Sequence, residues 1–413
     1  MQANKKSIFI TKERDHFCIY IFGHKILGIK DSKLSFLYKC QLKRILQKHS
    51  SKKVFVITPF IPYYSPMKQR FQHLAELMSK KGYLVLYCTN YLDISKKVPN
   101  FVGGFYRVSD NLYLTDSFSI INKEIKGAFF YYTAIAFYSK NDFLQSKKNN
   151  TIIYDHIDDF SVDSIKENSQ NNKIRHLEVA PLCDIASYSS KRLKKDFDNL
   201  IDEDKQVFIQ NGVDYDHFSN IENLFIPDGF ETILRQDKKI IGYHGALTTN
   251  WIDFDLIDKT AKAYPQYNIV LVGSTCNEID DKRLEELLKQ NNNIYRFDAV
   301  DYKILPQYTR FFDIAIIPFK HGEIALNTNP IKLFENMAMQ IPTVVTRDLV
   351  ECQGYSGVWI SENDEQFIVN INSAFKNKDS LELKEQLKNY AQDATWEKQV
   401  DKLLDFISNN GMR

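Results

Sequence analysis

The chain has little cysteine, and what it has is not arranged for metal or redox chemistry. Its 413 residues include six cysteines, spread over the whole length without the close pairs that such sites need. We therefore expect free thiols in a reducing compartment, the cytoplasm. No metal site is predicted either, because Asp253 and Asp255 come just before a predicted helix, where aspartates cap the first turn.

Long apolar runs and a strong charge imbalance are also missing. Uncharged runs such as residues 127–139 fall short of the ~20 apolar residues that span a bilayer. The charged start of the chain lacks the apolar core of a secretory signal, so we expect none. A net charge of +2 gives no reason to expect a nucleic-acid partner. With 44% hydrophobic and 26% charged residues, the composition predicts a globular protein of more than one domain.

The glycine fingerprint of dinucleotide-binding folds is absent as well. From residue 53 onward, apolar strand-like runs alternate with amphipathic helical segments, which predicts an α/β protein. The first such strand, residues 54–58, leads into a proline-rich loop without glycine. A nicotinamide site needs Gly-x-Gly-x-x-Gly at that place, so this class of oxidoreductase is disfavoured.

The alternation of strands and helices is interrupted at residues 219–237, which we interpret as a linker. We predict an N-terminal extension at 1–50, consisting of a small β-hairpin and a basic amphipathic helix. A first parallel-sheet domain follows at 51–225 and a second at 226–395. A C-terminal helix at 396–413 is expected to pack back on the first domain. Two such domains form a cleft, where a small-molecule site is expected.

The predicted helix of the extension has two different faces. Leu34, Tyr38, Leu42 and Ile45 recur at helical spacing, whereas basic side chains cover much of the remaining surface. Two interpretations are open. Either the helix docks on the protein with its basic face in solvent, or it lies on the inner membrane surface, attracted by anionic lipid.

A lysine near residue 330 is in an electrostatically unfavourable place. The sequence there predicts a loop and then a helix, with Pro330 in its first position and Thr328 or Asn329 as its cap. Lys332 would lie in the first turn, where a cation opposes the helix dipole by ~0.3–1 kcal/mol. Either Lys332 is a solvated side chain paired with Glu335, or an anion such as phosphate binds there.

Polar side chains in the first domain are candidates for a second half of the site. A predicted strand runs into His156, Asp158 and Asp159, at the end of a parallel strand where α/β folds bind ligands. Arg70 and His73, three residues apart at a helix start, either lie on the surface or face the cleft. Each of these side chains has an alternative structural role, as a cap or a buried hydrogen-bond partner.

Several segments of the chain resemble one family, in that family's order. They are residues 69–75, 154–160, 210–214, 241–246 and 329–346. The last, with Pro-x-Lys-x-x-Glu followed by a Pro-x-Val-Val strand, is the most specific. Together they resemble the GT-B glycosyltransferases, in particular family-4-like (glycosyl transferases group 1) enzymes that make capsule, lipopolysaccharide or teichuronic acid in bacteria. The resemblance implies two Rossmann-like domains facing each other across a cleft.

The resemblance also implies roles for individual residues. In the second domain Glu335 would hold the ribose of a nucleotide-diphosphate sugar, and Lys332 with nearby backbone N–H groups would hold the diphosphate. The implied nucleotide-sugar site consists of Lys332, Glu335, Asn327, Asn329, Gly245 and Ala246. No metal or other cofactor is implied, because helix ends and basic side chains neutralise the diphosphate.

In the first domain, Asp158 is the preferred acid or base, with Asp159 and His156 as further candidates. Arg70 and His73 are assigned to the acceptor. The predicted reaction is transfer of a sugar to a glycan or lipid-linked glycan by a cytoplasmic enzyme, with peripheral contact to the inner membrane face. The alternatives are a nucleotide-sugar epimerase or hydrolase, or a non-enzymatic sugar-binding protein.

The chain departs from the family pattern at three positions. No lysine or arginine follows Gly245, where many relatives carry one that binds phosphate. Relatives carry two glutamates separated by seven residues, and here the first position is Asn327. Without that carboxylate the sequence does not decide between retention and inversion. A small residue usually follows the helix, whereas this chain has Gln340, for which a left-handed conformation costs ~1 kcal/mol.

Overall fold

The computed structural model describes residues 8–13, 16–21, 24–99, 101–136, 138–162, 166–220 and 225–411. A small antiparallel sheet precedes two domains, each built on a parallel sheet. The first residues of the chain, the predicted turn at Gly23 and residues 221–224 of the predicted linker lie outside the described residues. The fold class predicted from the sequence is confirmed.

The N-terminal extension is a three-stranded sheet followed by a long helix. Its elements are β1 (Ile8–Glu13), β2 (His16–Ile21), β3 (His24–Lys30) and α1 (Asp31–Lys48). The predicted hairpin corresponds to β2 and β3, and β1 adds a third strand on the other side of β2. Leu34, Tyr38 and Leu42 of α1 are buried, and Ile45 is partly buried against the same core. Their spacing predicted this face.

The first domain is built on an eight-stranded sheet. Its strands are β4 (Val54–Ile57), β5 (Leu84–Cys88), β6 (Phe105–Arg107), β7 (Leu112–Thr115), β8 (Phe129–Thr133), β9 (Thr151–His156), β10 (Ile185–Tyr188) and β11 (Gln206–Phe208). Their order is β11-β10-β9-β8-β4-β5-β7-β6, and β6 alone is antiparallel to its neighbour. The helices are α2 (Arg70–Lys80), α3 (Tyr91–Lys97), α4 (Phe118–Glu124), α5 (Lys140–Lys147) and α6 (Lys166–Val179). The central strands are buried on both faces, which explains their continuous apolar sequences.

The second domain is built on a six-stranded, fully parallel sheet. Its strands are β12 (Ile240–His244), β13 (Asn268–Val272), β14 (Ile294–Phe297), β15 (Ile314–Ile317), β16 (Thr343–Thr346) and β17 (Val358–Ser361), in the order β14-β13-β12-β15-β16-β17. The helices are α7 (Tyr215–Ser219), α8 (Phe230–Leu234), α9 (Phe254–Ala263), α10 (Glu278–Gln290), α11 (Leu305–Thr309), α12 (Glu323–Asn327), α13 (Ile331–Ala338), α14 (Asp364–Asn377) and α15 (Leu381–Asp393).

The chain crosses between the domains twice at one place. Val213 N–H donates to Ala394 O at 2.9 Å, and Trp396 N–H donates to Val213 O at 3.1 Å. A Cβ on Gly212 would lie 2.8 Å from Trp396 N, so only glycine fits between the two crossing segments. Val213 and α7 already pack in the core of the second domain, upstream of the predicted boundary at residue 225.

The last helix, α16 (Trp396–Asn409), returns to the first domain. Trp396, Val400, Leu403 and Ile407 are buried in the core of that domain, on one face of the helix. Among the helices that the structure describes, none combines the length and the apolar character needed to cross a membrane.

Candidate active site

The cleft between the domains contains a cavity of about 270 Å³. It lies at the carboxyl ends of the parallel strands, near β4 and β12, where the strand order reverses in each sheet. Ligands of open α/β sheets bind at such points. The first domain contributes the loops after β4 and β9, and the second domain contributes the ends of β12 and β13 and the start of α13.

Gly245 and Ala246 line this cavity directly after β12. Gly245 has a φ of 127°, which favours glycine, and a Cβ on it would lie 3.0 Å from Lys332 Cε. A Cβ on Gly273, after β13, would lie 1.8 Å from the Gly245 carbonyl oxygen. The two strand ends therefore pack backbone to backbone, and this leaves room for Lys332 above them.

Helix α13 begins at the floor of the cleft without a side-chain cap. Pro330 is the N-cap, so the helix begins at Ile331, one residue later than predicted. The proline side chain has no acceptor for the first N–H groups of the helix. The predicted caps are engaged elsewhere: Thr328 Oγ1 donates to Ile324 O at 2.6 Å, and Asn329 Oδ1 accepts from Asn211 N–H at 2.9 Å. The first turn also lacks an acidic residue. Leu333 N–H donates to Pro330 O at 3.1 Å, so the N–H groups of Ile331 and Lys332 are the ones left for an anionic ligand.

Lys332 lies in this first turn and lines the cavity. Its Nζ is 5.5 Å from the ring centroid of Tyr243 and 5.2 Å from that of Phe319. Burial lowers the pKa of the Lys332 ammonium, although Glu335 works in the opposite direction. In the described part of the chain, no carboxylate forms an ion pair with it. The predicted alternative of a solvated Lys332–Glu335 pair is therefore wrong, and a half-buried cation faces the cleft.

Glu335 is held by a residue that the sequence analysis did not single out. Glu335 Oε2 lies 2.8 Å from Nε2 of His244, the last residue of β12, and both side chains are buried. Both residues also line the cavity. His244 fixes the orientation of this carboxylate, as a neighbouring hydrogen bond does for metal-binding and catalytic groups. The sequence signal for His244 was its place at the end of a predicted buried strand, directly before Gly245.

Asp158 lines the cavity from the first domain, directly after β9. Burial raises the pKa of Asp158 to about 7, and the neighbouring Asp159 adds to this effect. Arg70 and Lys332 oppose it from the two sides of the cleft. Asp159 accepts a hydrogen bond from Ser161 N–H at 2.8 Å. A carboxyl group that titrates near neutral pH can act as acid or base in an enzyme.

His156 does not face the cleft, which corrects the prediction that it acts as an acid or base. The side chain is fully buried, Nε2 lies 2.9 Å from Asp196 Oδ2, and the ring stacks on Phe160 at 4.7 Å between centroids. Successive strand residues point to opposite faces. His156 therefore lies within an aromatic cluster beneath the cleft.

Arg70 is bound within the protein rather than free for an acceptor. Its Nε donates to Asp155 Oδ2 at 2.7 Å and its Nη2 donates to Asp155 Oδ1 at 3.3 Å. Nη1 donates to Gln210 O at 3.1 Å and to Asn211 Oδ1 at 3.3 Å. Arg70 reaches the edge of the cavity, but the guanidinium connects the sheet to the interdomain crossing. The assignment to acceptor binding is corrected to a structural one.

His73 is likewise not available to an acceptor. It is buried, stacks on Trp396 at 5.0 Å between ring centroids and meets the edge of Tyr302 at 5.4 Å. Burial lowers the pKa of His73 well below its usual range, so the ring is neutral. These contacts join α2, α16 and the second domain. His73 is an interdomain packing residue.

The two asparagines of the predicted nucleotide site both contact the first domain. Asn329 lines the cavity, and in addition to its Oδ1 contact its carbonyl oxygen accepts from Asn211 Nδ2 at 2.6 Å. Asn327 is fully buried and does not line the cavity, and its Nδ2 donates to Asp159 Oδ2 at 2.6 Å. The prediction that Asn327 contacts the nucleotide sugar directly is therefore not supported. As expected, Asp253 caps α9.

Comparisons with known proteins give the relationship of the second domain and of the whole fold. Residues 238–377 match the family described as glycosyl transferases group 1. The chain is 30% identical over 177 residues to TuaH of Bacillus subtilis (strain 168), which is named as a teichuronic acid biosynthesis glycosyltransferase. That match covers 42% of this chain and 43% of TuaH, so it spans less than half of the relative's length.

Solved structures agree with the fold over most of the chain. Sucrose-phosphate synthase from Thermosynechococcus elongatus superposes with a TM-score of 0.64 at 10% identity, covering 86% of this chain and 99% of that one. Anabaena Alr3699/HepE in complex with UDP gives 0.61 at 12% identity, covering 86% and 100%. A glycosyltransferase from Rickettsia africae gives 0.61 at 17% identity, covering 87% and 98%. The chain thus has the GT-B fold, and its second domain carries the glycosyl transferases group 1 segment.

Proposed function

We propose that this protein is a glycosyltransferase that moves a sugar from a nucleotide-diphosphate sugar to a glycan acceptor in cell-surface polysaccharide synthesis. The observation that carries the proposal is Lys332, a half-buried cation that faces the cavity without an ion-pair partner in the described residues, at a helix start without a side-chain cap. A diphosphate supplies the missing negative charge and accepts from the free N–H groups of α13.

The rest of the second-domain wall suits a nucleoside. Glu335, oriented by His244, offers a carboxylate oxygen to the ribose hydroxyls, and a carboxylate can accept from both hydroxyls of a diol. Ala299 and Val300 line the cavity beyond β14 and offer backbone groups and a small apolar surface to the base. The Anabaena HepE structures in complex with UDP and with UDP-glucose support a nucleotide sugar as the donor class.

In the reaction, an acceptor hydroxyl attacks the anomeric carbon of the donor sugar, and the bond from that carbon to the diphosphate breaks. We assign the proton of the hydroxyl to Asp158, which borders the cavity on the first-domain side. The leaving nucleoside diphosphate keeps its negative charge against Lys332. With a pKa raised to about 7, the Asp158 carboxylate is a stronger base than an exposed aspartate and is still partly ionised near neutral pH.

The first-domain wall of the cavity favours an acceptor with an apolar part. Pro66, Met67, Ile157 and Val162 line it, and Met67 is exposed there. Together with the membrane-surface interpretation of α1, this supports a lipid-linked glycan as the acceptor. Phe36 and Leu37 of α1 are 68% and 53% exposed beside basic side chains, a combination that binds anionic lipid surfaces.

A nucleotide panel tests the donor assignment. Thermal unfolding of the full chain is measured with uridine, guanosine, thymidine, cytidine and adenosine diphosphates. We expect one of them to stabilise, by ~2.7 kcal/mol at 100 times its Kd. Stabilisation by none would refute the proposal. Release of the nucleotide from its sugar is then measured with and without lipid-linked glycan. Release that ignores the acceptor would indicate a hydrolase, and conversion to an isomeric nucleotide sugar without release would indicate an epimerase.

A further inference from the structure

Asn327 joins the two domains at the edge of the cleft. Its Nδ2 donates to Asp159 Oδ2 at 2.6 Å in the first domain and to Glu323 Oε2 at 3.3 Å in α12. Both partners are carboxylates, which only accept when ionised, so the amide nitrogen must be the atom that faces them. The side chain is fully buried, and Lys195 Nζ lies 3.4 Å from Glu323 Oε2 on the far side.

This arrangement has no place for a carboxylate at position 327. A glutamate at 327 would place a third carboxylate against Asp159 and Glu323, and like charges at hydrogen-bond distance repel. Asparagine replaces that repulsion with a hydrogen bond between the domains. The negative charge at this point of the cleft is then supplied by Asp159 of the first domain.

Asp159 is also the immediate neighbour of Asp158. Asp158 faces Asp159 and Asp155 as negative groups and Arg70 and Lys332 as positive groups. After burial itself, Asp159 has the largest effect on the Asp158 carboxyl, and it raises the pKa. The place at which Asp159 is held therefore decides how readily Asp158 takes up a proton.

We propose that Asn327 is a positioning residue whose amide, donated across the interdomain cleft, fixes the position of the Asp159 carboxylate relative to Asp158. The inference rests on the proposed function only in giving Asp158 a catalytic role, and the contact itself is tested without substrate. Asn327 thus acts on the reaction through Asp159 and touches neither donor nor acceptor.

The test follows the proton on Asp158 through protein stability. The free energy of unfolding of the full chain is measured from pH 4 to pH 9, with Asp158 and with Asp158→Asn. Burial and Asp159 raise the pKa of Asp158 from 3.8 to about 7, so the folded state keeps a proton that the unfolded state loses. The free energy of unfolding with Asp158, minus that with Asp158→Asn, should therefore fall between about pH 4 and about pH 7 and stay constant at higher pH. We call the pH at which it becomes constant the levelling point.

Removing the proposed interaction should move that levelling point. Asp159→Asn and Asn327→Ala are each expected to lower the levelling point by on the order of one pH unit. Asn327→Gln keeps the amide and should therefore lower the levelling point less than Asn327→Ala does. In the Asp159→Asn background, Asn327→Ala should produce no further shift, because its effect passes through Asp159. The matched control is Asn370→Ala, a buried amide of α14 that should leave the levelling point in place.

An unchanged levelling point in Asn327→Ala, or an equal shift in the presence and absence of the Asp159 carboxylate, would overturn the proposal. Neither result depends on turnover. A separate failure, in which Asp158→Asn retains full transferase activity, would overturn the catalytic role of Asp158 and leave the positioning contact intact.

Discussion

Replacing Lys332 with methionine separates the two consequences of a half-buried cation without an ion-pair partner in the described residues. Methionine has a similar length and no charge, so it can occupy the space near Tyr243 and Phe319 without an ammonium group. Removing the charge relieves the desolvation penalty and the opposition to the helix dipole. We expect the free energy of unfolding without ligand to rise by about 1–3 kcal/mol.

The same substitution should weaken nucleotide binding. A hydrogen bond to a charged group contributes about 1.5–3 kcal/mol, which corresponds to a roughly 10- to 150-fold increase in Kd. Urea unfolding gives the stability, and titration calorimetry with the nucleoside diphosphate found in the panel gives the Kd. Lys259→Met is the control, because Lys259 is exposed and forms a surface ion pair with Asp364.

Higher stability without ligand, together with weaker binding of the nucleoside diphosphate, would indicate that the lysine serves to bind an anionic ligand. If Kd were unchanged in Lys332→Met, the diphosphate would not bind at this residue. If the unliganded protein became less stable, the lysine would have a partner that stabilises it, and the argument from an unpaired half-buried charge would fail. Lys259→Met should change neither quantity by more than ~0.5 kcal/mol.

Three further predictions concern separate parts of the protein. Gln340 has a φ of 59°, as a left-handed helix end requires, so Gln340→Gly should raise the free energy of unfolding by up to ~1 kcal/mol in urea titrations, and a loss of stability would contradict this. If Asp158 is the base, kcat/KM should fall about tenfold per pH unit below about pH 7, and a rate independent of pH there would exclude it. Phe36→Ser should weaken co-sedimentation with vesicles containing anionic lipid, whereas Leu381→Ser, at an 84% exposed apolar residue of α15, should not; equal effects would argue against α1 as a membrane contact.

The sequence was most informative where a strand is buried on both faces. The runs that became β5 and β12 are almost wholly apolar, and both strands are buried along their whole length. Other elements have no such signal. The short antiparallel strand β6 pairs on one side only, at the sheet edge. Helix α6 has little amphipathic character because residues 166–173, its first half, are all polar. Their positions depend on tertiary contacts rather than on a local pattern.

The same distinction applies to the candidate site. Lys332 and Glu335 are three residues apart in α13, so their spacing in the sequence places both on the helix surface that lines the cavity. In the first domain the partners are distant in sequence. Arg70 is bound by Asp155, 85 residues away, and the spacing of Arg70 and His73 gave no sign of such partners.

Position 327 shows why a motif must be interpreted together with its neighbours in space. In the sequence, Asn327 is a lost carboxylate, and it left the chemistry of the site open. In the structure, Asp159 and Glu323 lie on either side of this residue, so an amide is the group that can hydrogen-bond to both while they remain charged. The carboxylate is therefore not missing from this part of the cleft. It is carried by Asp159 of the opposite domain, which lies beside Asp158 in the chain and meets α12 through the hydrogen bond from Asn327.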